Sequence, residues 1–300
     1  MVGGSWSQVG INKTYNFEKN SALKTKNTKS VITGYYEESR PDYRFPFLSP
    51  TLQLFFLLLM AMPPKRITLI RHGMTEANLW LSQPETAWGI PNFSDDLKYL
   101  DSILCGKGKQ QCECLNSQIL DNSVDLTTVS RVLVSPLTRT LQTATQIFQD
   151  TPLESKLVAC SLLRERRYLA SDVGKHSSIL KTNFPAVDFN DKQFFPHDEN
   201  SNWWYEHDDT KPPYVEFRPH SESQTYTAKG EPDVAFEERL NDLFELLSST
   251  PENEHVACVT SWGVIRGLTG GKEFDNCHAK TFVINELDPS LHRSGLNQNI

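Results

Sequence analysis

Three hundred residues of ordinary apolar and charged content allow one large domain or two modest ones, with enough chain to bury a full core. Thirty basic residues against 37 acidic ones leave a net charge of −7, and no basic stripe interrupts it, which excludes nucleic acid as a main partner. Six cysteines (Cys105, Cys112, Cys114, Cys160, Cys258 and Cys277) follow no disulfide-scaffold rhythm, and Cys112-Glu113-Cys114 is too tight for a zinc pair, so reduced structural thiols in a cytoplasmic compartment are expected.

Residues 1 to about 45 are polar and carry no helical or strand period, which reads as a disordered extension. Lysines outnumber acids there, but a transit segment would also show early arginine. Phe47 to Met62 is apolar, with Leu54-Phe55-Phe56-Leu57-Leu58-Leu59 at its centre. It falls short of the ~18–20 residues a membrane span needs and contains Ser49, Pro50 and Gln53. Three readings stay open: a weak membrane-proximal anchor, a segment packed on the domain, or sequence not normally translated, with the native start at Met60 or Met62. Membrane contact through 47–62 is the lesser expectation. Asn12-Lys13-Thr14 and Asn92-Phe93-Ser94 match glycosylation triplets but lack a convincing signal peptide before them.

From Lys65 the pattern changes. Ile67–Ile70 is a short apolar strand, and Lys107–Leu120 reads as a helix. Arg131–Val134 is a strand, followed by a helix from about Pro136 to Phe148, and Leu157–Cys160 is a third strand. Val234–Leu247 is amphipathic, with Phe236, Leu240, Leu243, Phe244 and Leu247 at helical spacing. Val256–Thr260 and Thr281–Ile284 complete the strands. Strands alternating with helices predict a parallel α/β sheet with its site at the carboxyl ends of the strands. Between Lys175 and Gly230 the alternation stops in an acidic, aromatic stretch containing Phe194, Phe195, Trp203, Trp204, Tyr205, Asp208, Asp209, Tyr214 and Phe217. A lid and a packed cover are equally open for it. The resulting division is an N-terminal extension at 1–62, a folded domain at 63–288 with its insert at about 175–230, and a tail at 289–300.

Two blocks carry chemistry. Leu69-Ile70-Arg71-His72-Gly73-Met74-Thr75-Glu76-Ala77-Asn78 ends an apolar strand in a turn glycine, a planar cation suited to phosphate oxygens, and a side chain able to attack phosphorus near neutral pH. Val132 through Ala144 repeats the strand-to-helix arrangement. There Ser135 is expected as N-cap, Pro136 at the first helical position and Arg139 in the first turn. Two arginines at two strand ends can converge on one dianion.

Together these blocks resemble the histidine phosphatase (phosphoglycerate-mutase-like) superfamily. Its Arg-His-Gly-x-Thr-x-x-Asn motif is matched at Arg71 through Asn78, and its Ser-Pro-Leu-x-Arg-x-x-x-Thr-Ala motif at Ser135 through Ala144. Leu163–Tyr168 is similar to the segment bearing the acidic proton donor, and Asp101–Gln111 to the loop and helix between the first motifs. The resemblance covers about residues 65–285. It implies a three-layer α/β/α sandwich with a mostly parallel central sheet, a phosphohistidine intermediate, and neither metal nor cofactor. His72 would be the nucleophile and Glu165 the general acid, with Arg71, Arg139 and Asn78 holding the phosphoryl group. The bland alternative for Glu165 is an ion pair with Arg164, Arg166 or Arg167, and for Arg139 a surface salt bridge.

One position departs from the pattern. The superfamily's second histidine follows a later strand, and Val259-Thr260-Ser261-Trp262-Gly263 has serine at that place. A serine donates one neutral hydrogen bond in place of a charge-assisted one. The expectation is a phosphomonoester hydrolase weakened by Ser261. A pseudophosphatase that binds a phosphorylated small molecule or phosphoprotein is the alternative, and a phosphoglycerate mutase the lesser one. His255 and His278 are expected to be structural or surface residues.

Overall fold

A computed structural model describes residues 64–87, 96–206, 215–217, 226–228 and 230–290. In chain order its elements are β1 (Arg66–Arg71), α1 (Glu76–Leu81), α2 (Gly106–Leu120), β2 (Arg131–Val134), α3 (Thr138–Ile147), β3 (Leu157–Ala159), α4 (Ser177–Asn183), β4 (Val215–Phe217), β5 (Tyr226–Ala228), α5 (Asp233–Ser249), β6 (His255–Thr260), α6 (Trp262–Leu268) and β7 (Ala279–Val283). The expected N-terminal extension, the apolar stretch 47–62, both glycosylation triplets at their key residues, and most of the C-terminal tail lie outside the described residues.

Five strands form one sheet in the order β3-β2-β6-β1-β7. The first four run parallel, and β7 pairs antiparallel with β1 at the edge. Why the apolar runs become strands is visible in their alternation. Ile67 and Leu69 of β1, Leu133 of β2, and Val256 and Cys258 of β6 join Phe236, Leu240 and Leu243 of α5 and Val264 and Leu268 of α6 in one core. Ile70, Val132, Val134, Ala257 and Val259 turn the other way, onto Leu115 and Ile119 of α2 and Leu141 and Ile147 of α3. Both faces are covered, so central β6 is buried at every position and carries no polar-out face. The expected α/β/α layering with a mostly parallel sheet is the observed one.

Register then fixes where chemistry can sit. Ile70 of β1 and Val134 of β2 both pair with Val259 of β6, so these strands end level with one another. His72, Ser135 and Ser261 each follow directly on those ends, at a crevice between strands of the kind open α/β sheets use for ligands.

The stretch 175–230 is corrected in part. It contains α4 and the antiparallel pair β4–β5. Seven and three residues are too short to show a period in sequence. Phe194, Phe195 and Trp203 are buried, and Trp203 Nε1 donates to the Lys175 carbonyl at 2.7 Å, so this part of the insert is a packed cover. Asp208, Asp209 and Tyr214 lie outside the described residues.

Glu231, at the entrance to α5, ties the helix to the segment that bears Glu165. Its carboxylate accepts from both Arg164 terminal nitrogens at 2.7 Å and from Arg239 Nε and Nη2 at 3.0 and 2.8 Å. Burial alone would raise this carboxyl, but Arg239 and Arg164 outweigh it and bring it down to about 2. The folded pKa is depressed, so the stabilisation is complete above the carboxyl's ordinary 4.5 and is lost as pH falls toward 2. Glu231→Ala, which leaves Arg239 buried and unpaired, is expected to lower unfolding stability by about 3–5 kcal/mol at pH 7. Urea titration at neutral pH and again near pH 3 should show that gap narrowing.

Candidate active site

The strand β1 delivers Arg71-His72-Gly73 to the carboxyl edge, and the loop is pinned from three directions. His72 N donates to the Thr260 carbonyl at 3.0 Å, extending the β1–β6 ladder by one residue. Asn276 Nδ2 donates to the His72 carbonyl at 2.9 Å, and Cys277 N to the Arg71 carbonyl at 3.0 Å. Gly73 N donates to Thr143 Oγ1 of α3 at 3.0 Å. A side chain on Gly73 would stand 2.8 Å from the Gly108 carbonyl oxygen and crowd the sulfurs of Cys112 and Cys277, so this close approach requires glycine.

His72 is buried, 4% exposed. Its Nδ1 lies 2.8 Å from the Gly73 carbonyl oxygen. A carbonyl only accepts, so Nδ1 carries the hydrogen and Nε2 keeps its lone pair. Burial, reinforced by the charges of Arg139 and Arg71, holds the ring well below the ordinary histidine pKa. The imidazole is therefore neutral at physiological pH, the state a nitrogen nucleophile needs.

Arg139 stands at the second position of α3, but the start of that helix differs from the sequence expectation. The N-cap is Leu137, which has no capping side chain, and Ser135 Oγ is buried without a hydrogen-bond partner among the described residues. Asp101 performs the capping from a distant loop, accepting from Thr138 N at 2.8 Å and from the Thr138 hydroxyl. A carboxylate at a helix N-terminus satisfies both an orphan donor and the dipole, which a serine at 135 cannot reach. Arg139 is buried, and its Nη2 lies 2.9 Å from Asp172 Oδ1, with Nη1 donating to the Ser171 carbonyl. The surface salt bridge weighed for it is thus replaced by a buried one. Arg71 Nη1 donates to the Phe274 carbonyl. The Nε–H of Arg71 and that of Arg139 are both buried without a partner among the described residues.

Glu165 does not make the ion pairs weighed for it. Arg164 goes to Glu231, Arg166 to Asp233, and Arg167 to the Tyr205 carbonyl. Glu165 instead accepts two backbone N–H groups, Arg166 at 2.8 Å and Gly263 at 3.0 Å. Its carboxyl pKa is raised above the usual range, first by burial and then by the Asp172 charge, against the pull of those two N–H groups and Arg139. Gly263 is the seat: a Cβ there would lie 2.3 Å from Glu165 Oε1.

The structure therefore brings Arg71, His72, Arg139, Glu165 and Ser261 to one edge. Arg71 feels the charges of Glu165 and Arg139, and His72 those of both arginines. Ser261 is fully buried, caps nothing with its side chain, and sits 3.5 Å from Arg139 Nη2. Asn78 closes a capping box with Thr75 at the start of α1, so its side-chain oxygen serves the Thr75 N–H at 3.2 Å. His255 starts β6 at the opposite end of the sheet and bonds to Thr68 and Thr128; the ring of exposed His278 packs on Phe274. Asp172 and Asn276 were not anticipated, since nothing local in the sequence marks a partner so distant in chain order; Thr143 lies in the matched motif, but its bond to the Gly73 N–H was not read from it.

Residues 67–201 match the family model of the histidine phosphatase superfamily (branch 1). No curated protein matches the sequence. Among solved structures, the chain is similar to the ecdysone phosphate phosphatase from Bombix mori in complex with tungstate, at 13% identity over 75% of this chain and 91% of that one, with a TM-score of 0.44. It is also similar to the alpha-ribazole phosphatase from Shigella flexneri, at 19% identity over 72% and 89% with a TM-score of 0.42. A mycobacterial glucosyl-3-phosphoglycerate phosphatase complexed with VO3 gives 18% over 72% and 92%, with a TM-score of 0.39.

Gly263→Ala should displace Glu165 from its two donors without unfolding the sheet. The expected result is a moved Glu165 carboxyl resonance in the carbon-13 spectrum, with an unchanged far-ultraviolet dichroism spectrum.

Proposed function

We propose that this chain, a match to the histidine phosphatase superfamily over residues 67–201, is a phosphomonoester hydrolase that works through a phosphohistidine at His72. The observation that carries the reading is a neutral imidazole with its Nε2 lone pair free, under the charges of half-buried Arg71 and buried Arg139, each with a buried Nε–H that has no partner among the described residues.

Each step follows from the groups in place. His72 Nε2 attacks phosphorus, a nitrogen–phosphorus bond forms, and the bond to the ester oxygen breaks. The departing oxygen takes the proton from Glu165, whose raised pKa keeps it in the acid form above the range of a free carboxyl. Water then attacks the phosphohistidine while the Glu165 carboxylate removes its proton, which frees phosphate and returns both groups to their starting states. Arg71 and Arg139 stabilise the charge on the transferring group, and in phosphoryl transfer such positioning and charge stabilisation supply most of the rate. The substrate is a phosphorylated small molecule or a phosphoprotein.

Ser261 stands where the resemblance implies a histidine, beside Arg139. A hydroxyl reaches less far and brings no charge, and loss of one preorganised donor lowers rate on the order of 10²–10³-fold. Turnover is accordingly slow, and Ser261→His should raise it by up to that factor on p-nitrophenyl phosphate; no gain would remove this account of residue 261. A second reading, a binding module that does not turn its ligand over, draws support from the same serine and from the Asp172 carboxylate that partly neutralises Arg139.

Incubation with labelled phosphomonoester separates the two. Acid-labile label on His72, absent in His72→Ala, is the hydrolase result; phosphate affinity without label is the module result. The pH profile adds a check. Turnover should fall on the alkaline side as Glu165 loses its proton, at a midpoint above the ordinary 4.5, and on the acid side only where His72 protonates, well below 6.5.

A further inference from the structure

The hydrolytic route leaves one buried pocket carboxylate without a task. Asp172 Oδ1 accepts from Arg139 Nη2 at 2.9 Å, and its Oδ2 accepts from the backbone N–H groups of Tyr168 and Leu169, both at 3.1 Å. Neighbouring Ser171 gives its carbonyl to Arg139 Nη1. The short turn Ala170–Asp172 thus grips both terminal nitrogens of Arg139 and leaves Nε bare. A guanidinium fixed at two points on one turn presents its remaining edge in a set direction, and preorganised direction is what stabilises a transition state.

The charge of the same carboxylate acts on Glu165. Two acids in one buried cleft do not share negative charge equally. Asp172 has a guanidinium and two N–H groups, whereas Glu165 has two N–H groups and no ion pair among the described residues. The charged and titratable groups acting with Glu165 are Asp172 and Tyr168 from its own segment, Arg139 from α3, Arg71 from β1 and Arg239 from α5. The N–H groups of Gly263 and Arg166 and the charge of Arg139 draw the Glu165 proton off; burial and Asp172 keep it on.

We propose that Asp172 is a positioning residue of this pocket, aiming the Arg139 guanidinium at the phosphoryl group and taking the pocket's negative charge so that the proton stays on Glu165. The inference rests on the phosphohistidine reading for its purpose, but the hold of Asp172 on Glu165 is measurable apart from turnover.

The test uses the full chain with carbon-13 in the glutamate carboxyls, the Glu165 signal being assigned by its loss in Glu165→Gln. In wild-type protein the Glu165 titration midpoint is expected above 4.5, and in Asp172→Asn it should move down. The alkaline limb of turnover should move with it, so that the variant loses roughly tenfold more activity near pH 8 than near pH 5, and its KM for p-nitrophenyl phosphate should rise as Arg139 loosens. An unmoved midpoint, or an equal loss of turnover at every pH, overturns the proposal and leaves Asp172 a purely structural anchor. Should the asparagine variant not fold, the wild-type titration still decides, because a Glu165 midpoint at or below 4.5 overturns it. If wild-type protein forms no phosphohistidine, the hydrolase reading fails while the carboxyl titration stands or falls by itself.

Discussion

The hydrogen bond from His72 Nδ1 to the carbonyl of the next residue decides which ring nitrogen is available, and that choice governs the rest of the site. A carbonyl demands the hydrogen on Nδ1, so the lone pair is on Nε2. Keeping that bond short requires the Arg71-His72-Gly73 backbone to hold one shape. Thr260, Asn276, Cys277 and Thr143 enforce it from β6, the loop before β7 and α3. The two arginines then act twice: each helps to keep the ring uncharged, and each offers a cation to an incoming anion.

Charge in the cleft is divided rather than piled up. Arg139 has Asp172, while Arg71 leans on the Phe274 carbonyl, a weaker partner than a carboxylate. With Glu165 protonated and His72 neutral, the cluster of Arg71, Arg139, Asp172 and Glu165 has a net charge of about +1. Under the proposed function, a pocket this modestly cationic, with serine at residue 261, would bind a phosphoryl dianion less strongly than one with a further charged donor, which is the physical root of the slow turnover proposed.

Much of the architecture was legible. The runs Ile67–Ile70, Val132–Val134 and Val256–Val259 are apolar on both faces because helices cover the sheet on both sides, and such runs stand out in a sequence. Arg71, His72 and Arg139 were singled out through local strings at strand ends, and Glu165 through the resemblance of Leu163–Tyr168 to a family segment; the structure brings the four to one edge of the sheet. What stayed hidden depends on contacts far apart in the chain. Asp101 caps α3 from 37 residues away, so the serine and proline before it, which look like a helix start, lie outside the helix. Asp172 reaches Arg139 across 33 residues, and Gly263 seats Glu165 across 98. Gly263 carries no local sign of this constraint, which is the carboxylate pressed against it. In the insert, aromatic composition could not separate a lid from a cover; the packing of Phe194, Phe195 and Trp203 does so for their part of it.

The nitrogen-15 spectrum of the His72 ring bears most directly on the central claim. Near pH 6.5, one proton-bearing nitrogen assignable to Nδ1 and one unprotonated nitrogen assignable to Nε2 are predicted, with the Nε2 resonance moving on addition of inorganic phosphate. A ring protonated at both nitrogens at that pH, or one with its hydrogen on Nε2, would contradict the account.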